Sequence, residues 1–157
     1  MTSLRSEIES FQHFIFATID SIVGALDELT AEELNWRPTA PATNSLYAIA
    51  THVLGNTEEN VLRTLCGQTI TRDRPSEFAA SGKSADDVRA HWTDLRDRVE
   101  RALAALPPGD LDREQHHPRR GTLTGREILL VVARHAAEHW GEAQLTKSLL
   151  PAGRTRL

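Results

Sequence analysis

Apolar residues recur every three or four positions through four long stretches of this chain, the spacing that places them on one face of an α-helix. The first stretch covers residues 3–29, where Leu4, Ile8, Phe11, Ile15, Ile19, Ile22, Leu26 and Leu29 form a single stripe. Thr30 and Glu33 have the spacing of a capping box and open a short helical turn. Pro38 and Pro41, just beyond Trp36 and Arg37, stop it. Asn44 or Ser45 caps a second helix that runs to Cys66, with Leu46, Ile49, Val53, Val61 and Leu65 on its core side and Gly67 placed to end it. Residues 67–83 mix Gly, Pro, Ser and charges and read as a long crossing loop.

The third stripe is Val88, Trp92, Leu95, Val99, Leu103 and Leu106. A cap is expected at residues 84–87, and the Pro107-Pro108-Gly109 stop follows. A polar loop holds His116, His117 and Gly121. Thr124 and Glu127 then form a second capping box, and the fourth helix extends to about Leu150, closed by Pro151 and Gly153. No stretch alternates convincingly as a strand. Four amphipathic helices predict an all-α fold, a four-helix bundle with long connections. The two long connections allow an order other than simple up-down-up-down. Residues 1–157 read as one domain, long enough to bury a core unaided.

Composition narrows the function classes. Hydrophobic residues at 39% and charged residues at 25% are ordinary for a globular protein, so disorder is not expected. A net charge of -4 argues against nucleic acid as a partner, because such partners usually demand a basic face. Cys66 is the only cysteine, so no internal disulfide forms. With the charged N-terminus MTSLRSEIES this points to the cytoplasm. The longest aliphatic run, residues 128–133, is too short for a membrane span.

The candidate chemistry lies in the stretch RHAAEHWGEAQ. His135 and His139 sit about 40° apart on one helix face and both can reach one metal ion. Seven histidines in this chain give roughly 0.3 such pairs by chance, so the spacing needs context. Ile128, Val131, His135, His139, Glu142, Thr146 and Leu149 form a stripe that is apolar at its ends and polar in the middle. Polar groups facing a bundle interior must be satisfied there, by a metal, by water or by a Glu142–histidine pair. A third ligand must come from another helix. His52, between Ile49 and Val53, is the best placed, with Asn56 or Glu59 available to orient its ring; a core-edge histidine bonded to a neighbouring helix is the alternative. His13 lies beside its stripe, His91 flanks Trp92 and is expected to face solvent, and His116 and His117 read as a solvated loop patch.

The ordered set Leu34-Asn-Trp-Arg-Pro38, Ser45, His52 and His135-x3-His139-Trp-Gly141 resembles the DinB-like (DinB/YfiT) superfamily of bacterial helical-bundle proteins, over nearly the whole chain. The resemblance implies a four-helix bundle whose metal site is formed by His52, His135 and His139. It also implies zinc or nickel as the usual metal, a homodimer, and in several branches enzymes that use mycothiol or bacillithiol, including S-transferases and maleylpyruvate isomerase-like proteins. Many members end the histidine pair as His-x-Gly-Gln, whereas this chain has Glu142. Glu142 lies about 20° from His135 around the helix. It could join the metal, act as a general base, or accept a hydrogen bond from a ligand ring, the role ranked first here because ligating imidazoles need an oriented N–H.

Three neutral imidazoles with an open coordination position describe a catalytic rather than a closed structural site. The metal would keep its full charge and lower the pKa of a bound thiol or water. The leading expectation is a metal-dependent thiol S-transferase acting on a small molecule with a low-molecular-weight thiol such as mycothiol. A metal-dependent hydrolase and a non-catalytic metal- or ligand-binding dimer are the alternatives. Arg37 is a candidate to bind an anionic cofactor group, against a surface ion-pair role. Trp140 is a candidate pocket wall, against a core or dimer-interface position.

Overall fold

The structure, a computed structural model, describes the backbone of residues 4–151 and the side chains of residues 7–151. Ser3, the Leu4 side chain, the charged residues at the extreme N-terminus and the Ala152-Gly153 part of the C-terminal stop lie outside the described residues. Six helices follow in order: α1 (Leu4–Gly24), α2 (Ala31–Asn35), α3 (Leu46–Thr57, continued by a π-helical segment, Glu58–Leu65), α4 (Arg74–Phe78), α5 (Asp86–Ala104) and α6 (Gly125–Ser148). A two-stranded antiparallel ribbon, β1 (Glu114–His117) and β2 (Gly121–Thr124), pairs His117 with Gly121. The fold is all-α apart from this ribbon, where the sequence reading had only a polar loop.

Local chemistry sets the helix ends. Both expected capping boxes form: Glu33 N–H donates to Thr30 Oγ1 and Glu127 N–H to Thr124 Oγ1, while each glutamate accepts the cap residue's own N–H. Ser45, not Asn44, caps α3 by accepting from Ala48 N–H. At α5 the Ser84 hydroxyl accepts from Asp86 N–H at 3.3 Å, although Ala85 holds the cap position. α1 stops at Gly24, before its stripe does, because tighter turns bond Leu26 to Val23 and Asp27 to Gly24. Near Leu65 the ladder changes register: Cys66 N–H donates to Val61 O, five residues back, at 2.9 Å. Gly67, at φ 70°, then lets the chain turn off the helix.

The four long helices share one core. α1 packs chiefly on α6 and α5, and α3 likewise packs on α6 and α5, so the order around the bundle is α1, α6, α3, α5. Sequential helices α1 and α3 are therefore not the principal neighbours, an arrangement made possible by the long connections. Ile15, Ile19, Ile22, Leu26, Leu46, Ile49, Val53, Leu54, Leu62, Leu95, Val99 and Leu103 fill the interior. The expected stripes of α1, α3 and α5 are all buried over their described residues, with Phe11 and Leu29 at the margin.

The last helix departs from its expected stripe. Its buried face is Gly125, Ile128, Leu129, Val132, Ala136, Ala143 and Thr146, and Leu149 is 50% exposed. Small residues, Ala136 and Ala143, carry the middle of the contact, which brings α6 close to its neighbours. His135, His139 and Glu142 thus flank the core face and are half-buried. The loop at 67–83 also differs from expectation: α4 forms within it, capped by Asp73, whose carboxylate accepts from Ser76 N–H.

α6 begins where space is tightest. A Cβ on Gly125 would lie 2.4 Å from the backbone oxygen of Asp110 and 2.9 Å from Leu65 Cδ1. Arg126 N–H bonds Leu111 O beside it. Gly125→Ala is expected to cost about 1–3 kcal/mol through overpacking against backbone that cannot yield. Urea unfolding measures this, and an unchanged midpoint would mean that the close approach is absent.

Candidate metal centre

α3 and α6 lie side by side, and His52 from one meets His135 and His139 from the other. One ring nitrogen from each of the three lies within 4.8 Å of the others. His135 Nε2 is 3.0 Å from His52 Nε2, and the His139 ring centroid is 4.9 Å from that of His52 and 4.4 Å from that of His135. His52 is buried deeply and the other two partly, so the cluster sits at the edge of the core.

Carboxylates hold the outer nitrogens. His52 Nδ1 is 2.8 Å from Glu77 Oε2, and His139 Nδ1 is 2.7 Å from Glu142 Oε2. A carboxylate only accepts, so each Nδ1 carries the proton and each Nε2 presents a lone pair. The other Glu142 oxygen accepts from Asn44 Nδ2 at 3.0 Å. Glu77 is held in turn by Arg72, whose Nε donates to Oε1 at 2.7 Å, and Arg72 also donates to Glu59 at 2.8 Å. Gly55 makes room for this pair, because a Cβ there would lie 2.1 Å from Glu77 Oε1. Glu59 therefore orients His52 only through Arg72 and Glu77. Glu77 itself was missed in the sequence, since it lies 25 residues from His52 in an apparent loop.

The electrostatics favour neutral His52 and His135 rings and charged carboxylates. Burial, reinforced by its neighbours His139 and His52, pushes His135 down to about 2. Burial also lowers His52, outweighing the opposing Glu77 hydrogen bond. Burial would raise Glu77, but its bonds from His52 and Arg72 prevail and hold it below the ordinary carboxylate range. The bond from His139 does the same for Glu142. Neutral imidazole is the metal-ligating form, so these rings need lose no proton to receive a cation.

A further polar group lies one turn along α3. Asn56 is buried, and its Oδ1 has no hydrogen-bond partner among the described residues. One more turn on, Asn60 Oδ1 accepts from His117 Nε2 at 2.8 Å, while His117 Nδ1 accepts from Arg119 N–H. His117 is 1% exposed, which corrects its expected place in a solvated patch; His116 does lie exposed. The ribbon pairing turns successive side chains to opposite faces, and this the loop reading missed.

The remaining candidates lie outside the cluster. Arg37 is exposed and donates to Thr43 O at 3.2 Å and to Phe78 O, tying the α2–α3 loop to α4. The Phe78 ring lies 4.4 Å from the His52 ring, so Arg37 borders the site. Trp140 is half-buried against the core and faces the α1–α6 groove with Ser21 and Gln144. His13 is exposed and His91 is half-exposed near Glu58.

Three converging imidazoles, two of them with outer nitrogens held by carboxylates, could hold one divalent metal ion, and their chemistry suits such an ion. The donor set admits zinc, nickel, cobalt or iron alike. A family model described as the DinB superfamily matches residues 17–143, most of the chain and all three histidines. No curated protein matches the chain.

Two expectations follow from this geometry. Glu77→Gln and Glu142→Gln should each weaken zinc binding about 10–100-fold, read by competition with a chromophoric chelator; unchanged affinity in both would show that the outer carboxylates do not tune the rings. Burial, with Arg119 nearby, also lowers His117, so its stabilising contribution is complete above the unfolded value near 6.5 and is lost as pH falls through the folded value. The unfolding midpoint should drop from pH 7 to pH 5, and His117→Gln should flatten that slope; an unaltered slope would remove His117 from the cause.

Proposed function

The chain belongs to the DinB superfamily, and on that premise we propose that it is a metal-dependent enzyme of the thiol S-transferase type, with His52, His135 and His139 as the ligands of a zinc or nickel ion. The observation that carries this reading is the convergence of three imidazoles, two of which have their outer N–H groups engaged by carboxylates. A divalent ion held there supplies a Lewis acid able to bring a thiol, or water, toward ionisation at neutral pH.

The chain's own residues do the rest. Glu77 and Glu142 fix the tautomer and direction of His52 and His139, which supports a positioning role for Glu142. Both Glu142 oxygens accept hydrogen bonds, one from His139 and one from Asn44, which hold the carboxylate in place. The Phe78 ring shields His52 from water on the α4 side. The orphaned Asn56 oxygen offers an acceptor to an N–H or O–H of a bound molecule.

The thiol must come from outside. Cys66, the single cysteine, lines a groove with Ala102, Pro107 and Asp110, away from the three histidines. Burial pushes it up to about 11, where it stays a thiol and a poor nucleophile. This favours a low-molecular-weight thiol such as mycothiol as co-substrate. A second copy of the chain is the expected partner, supported by Phe14 on α1 and Leu130 and Leu145 on α6, all largely exposed. Among the described residues no helix is long and apolar enough to cross a membrane.

The test uses protein purified without a histidine tag or nickel resin. Elemental analysis should find about one metal per chain, with His52→Ala losing most of it. The loaded protein should consume thiol in the presence of an electrophile, and His52→Ala should not. Metal bound without turnover across several thiols and electrophiles would leave a binding protein instead. Unchanged metal content in His52→Ala would overturn the three-histidine assignment.

A further inference from the structure

Most of the arginines among the described residues are ion-paired. Arg63, Arg72, Arg89, Arg96, Arg98, Arg113, Arg119, Arg126 and Arg134 each lie within ion-pair distance of a carboxylate. Among the described residues Arg37, Arg74, Arg101 and Arg120 have no such partner. Arg101 sits in the last turn of α5. Arg37 and Arg74 border the α4 side of the histidine centre, and Arg120 lies in the β1–β2 turn.

The α4 side carries two of them. The Arg74 guanidinium lies 4.9 Å above the Phe78 ring, and that ring lies 4.4 Å from His52. Arg37 donates to the Phe78 carbonyl, so its charge borders the same ring. The ribbon side carries the third. The turn between β1 and β2 is pinned to the π-helical segment by the bond from His117 to Asn60 and by the Arg119–Glu59 pair. Arg120 follows in that turn, its N–H on His117 O at 3.3 Å.

No nearby carboxylate lies within ion-pair distance of these three arginines among the described residues. Glu59 is shared by Arg63, Arg72 and Arg119; Glu77 is taken by Arg72 and His52; Glu142 is taken by His139 and Asn44. The chain as a whole carries -4, so a rim of uncompensated guanidinium is a local departure from its overall charge. Guanidinium is the side chain best matched to a planar carboxylate, through paired N–H donors.

We propose that Arg74 and Arg120 form an anion-recognition rim that brings a small carboxylate-bearing organic molecule to the histidine centre, one from the α4 side and one from the ribbon side. Arg37 adds charge but keeps its donors on backbone carbonyls. The proposal rests on the reading of the histidines as the reaction centre, yet anion binding by the rim itself requires no metal.

The experiment compares succinate with its uncharged analogue succinamide, by calorimetry on the untagged protein, metal-free and zinc-loaded. Succinate should bind the metal-free protein at least about tenfold more tightly than succinamide. The Arg74→Gln, Arg120→Gln double variant should lose about that factor, while its unfolding midpoint and zinc content stay as in the parent, since both side chains are exposed. Equal affinity for the two probes, no succinate binding, or a preference untouched in the double variant would overturn the rim. A preserved succinate preference in protein that takes up no zinc would sink the metal reading and leave the rim standing.

Discussion

Arg72, with a side chain only 4% exposed, divides its donors between Glu59 and Glu77, carboxylates nearly as buried as itself. Each of these charges alone would cost several kcal/mol to remove from water, and removing one partner of such a group typically costs on the order of 3–5 kcal/mol. The three groups are therefore obligatory to one another. Their consequence is positional. Glu59 belongs to the π-helical segment, Arg72 to the connection after it, and Glu77 to α4. The ion cluster folds that connection back along α3 until Glu77 reaches His52. Gly55 is the matching feature on the helix, since any side chain there would occupy the space of the Glu77 carboxylate.

The π-helical segment contributes to the same surface. Asn56, Glu59 and Asn60, spaced i, i+3 and i+4, lie on one side of the helix. In this protein all three are buried. Two of them face polar partners: Glu59 toward Arg72 and Arg119, and Asn60 toward His117. The β1–β2 turn is docked by those contacts. Its position, and that of Arg120 within it, thus depends on the polar groups of the π-helical segment.

Much of this architecture is legible in the sequence because it rests on periodicity and local capping. The stripes of α1, α3 and α5, the boxes at Thr30 and Thr124, and the Pro107-Pro108 stop are local signals and hold in the structure. The three histidines are legible for a mixed reason. His135 and His139 announce themselves by spacing, whereas His52 emerges only as the histidine nearest a core stripe, strengthened by family resemblance. What stays hidden is long-range or small. Glu77 has no spacing relation to His52. α4 and the ribbon are too short to show a period. The stripe on α6 was misaligned because alanines at 136 and 143, not large side chains, make the central contact. His117 looked solvated because its partner, Asn60, lies 57 residues away.

Position 142 shows how a single change alters such a centre. A glutamine there would present one acceptor and one donor, and only its oxygen could take the His139 N–H. Its amide nitrogen would then meet Asn44 Nδ2, donor against donor, unless the Asn44 amide turned over. Glutamate removes the conflict, because both oxygens accept and both neighbours donate. It also sets a full negative charge beside the imidazole's outer N–H, which raises the basicity of the inward nitrogen. His52 receives the same treatment from Glu77. His135, between them, has no carboxylate partner among the described residues, and its inward nitrogen faces His52 directly. The centre is thus built from two imidazoles made more basic by carboxylates and a third left neutral by burial, with Asn44 recruited from a failed helix cap to keep Glu142 in place.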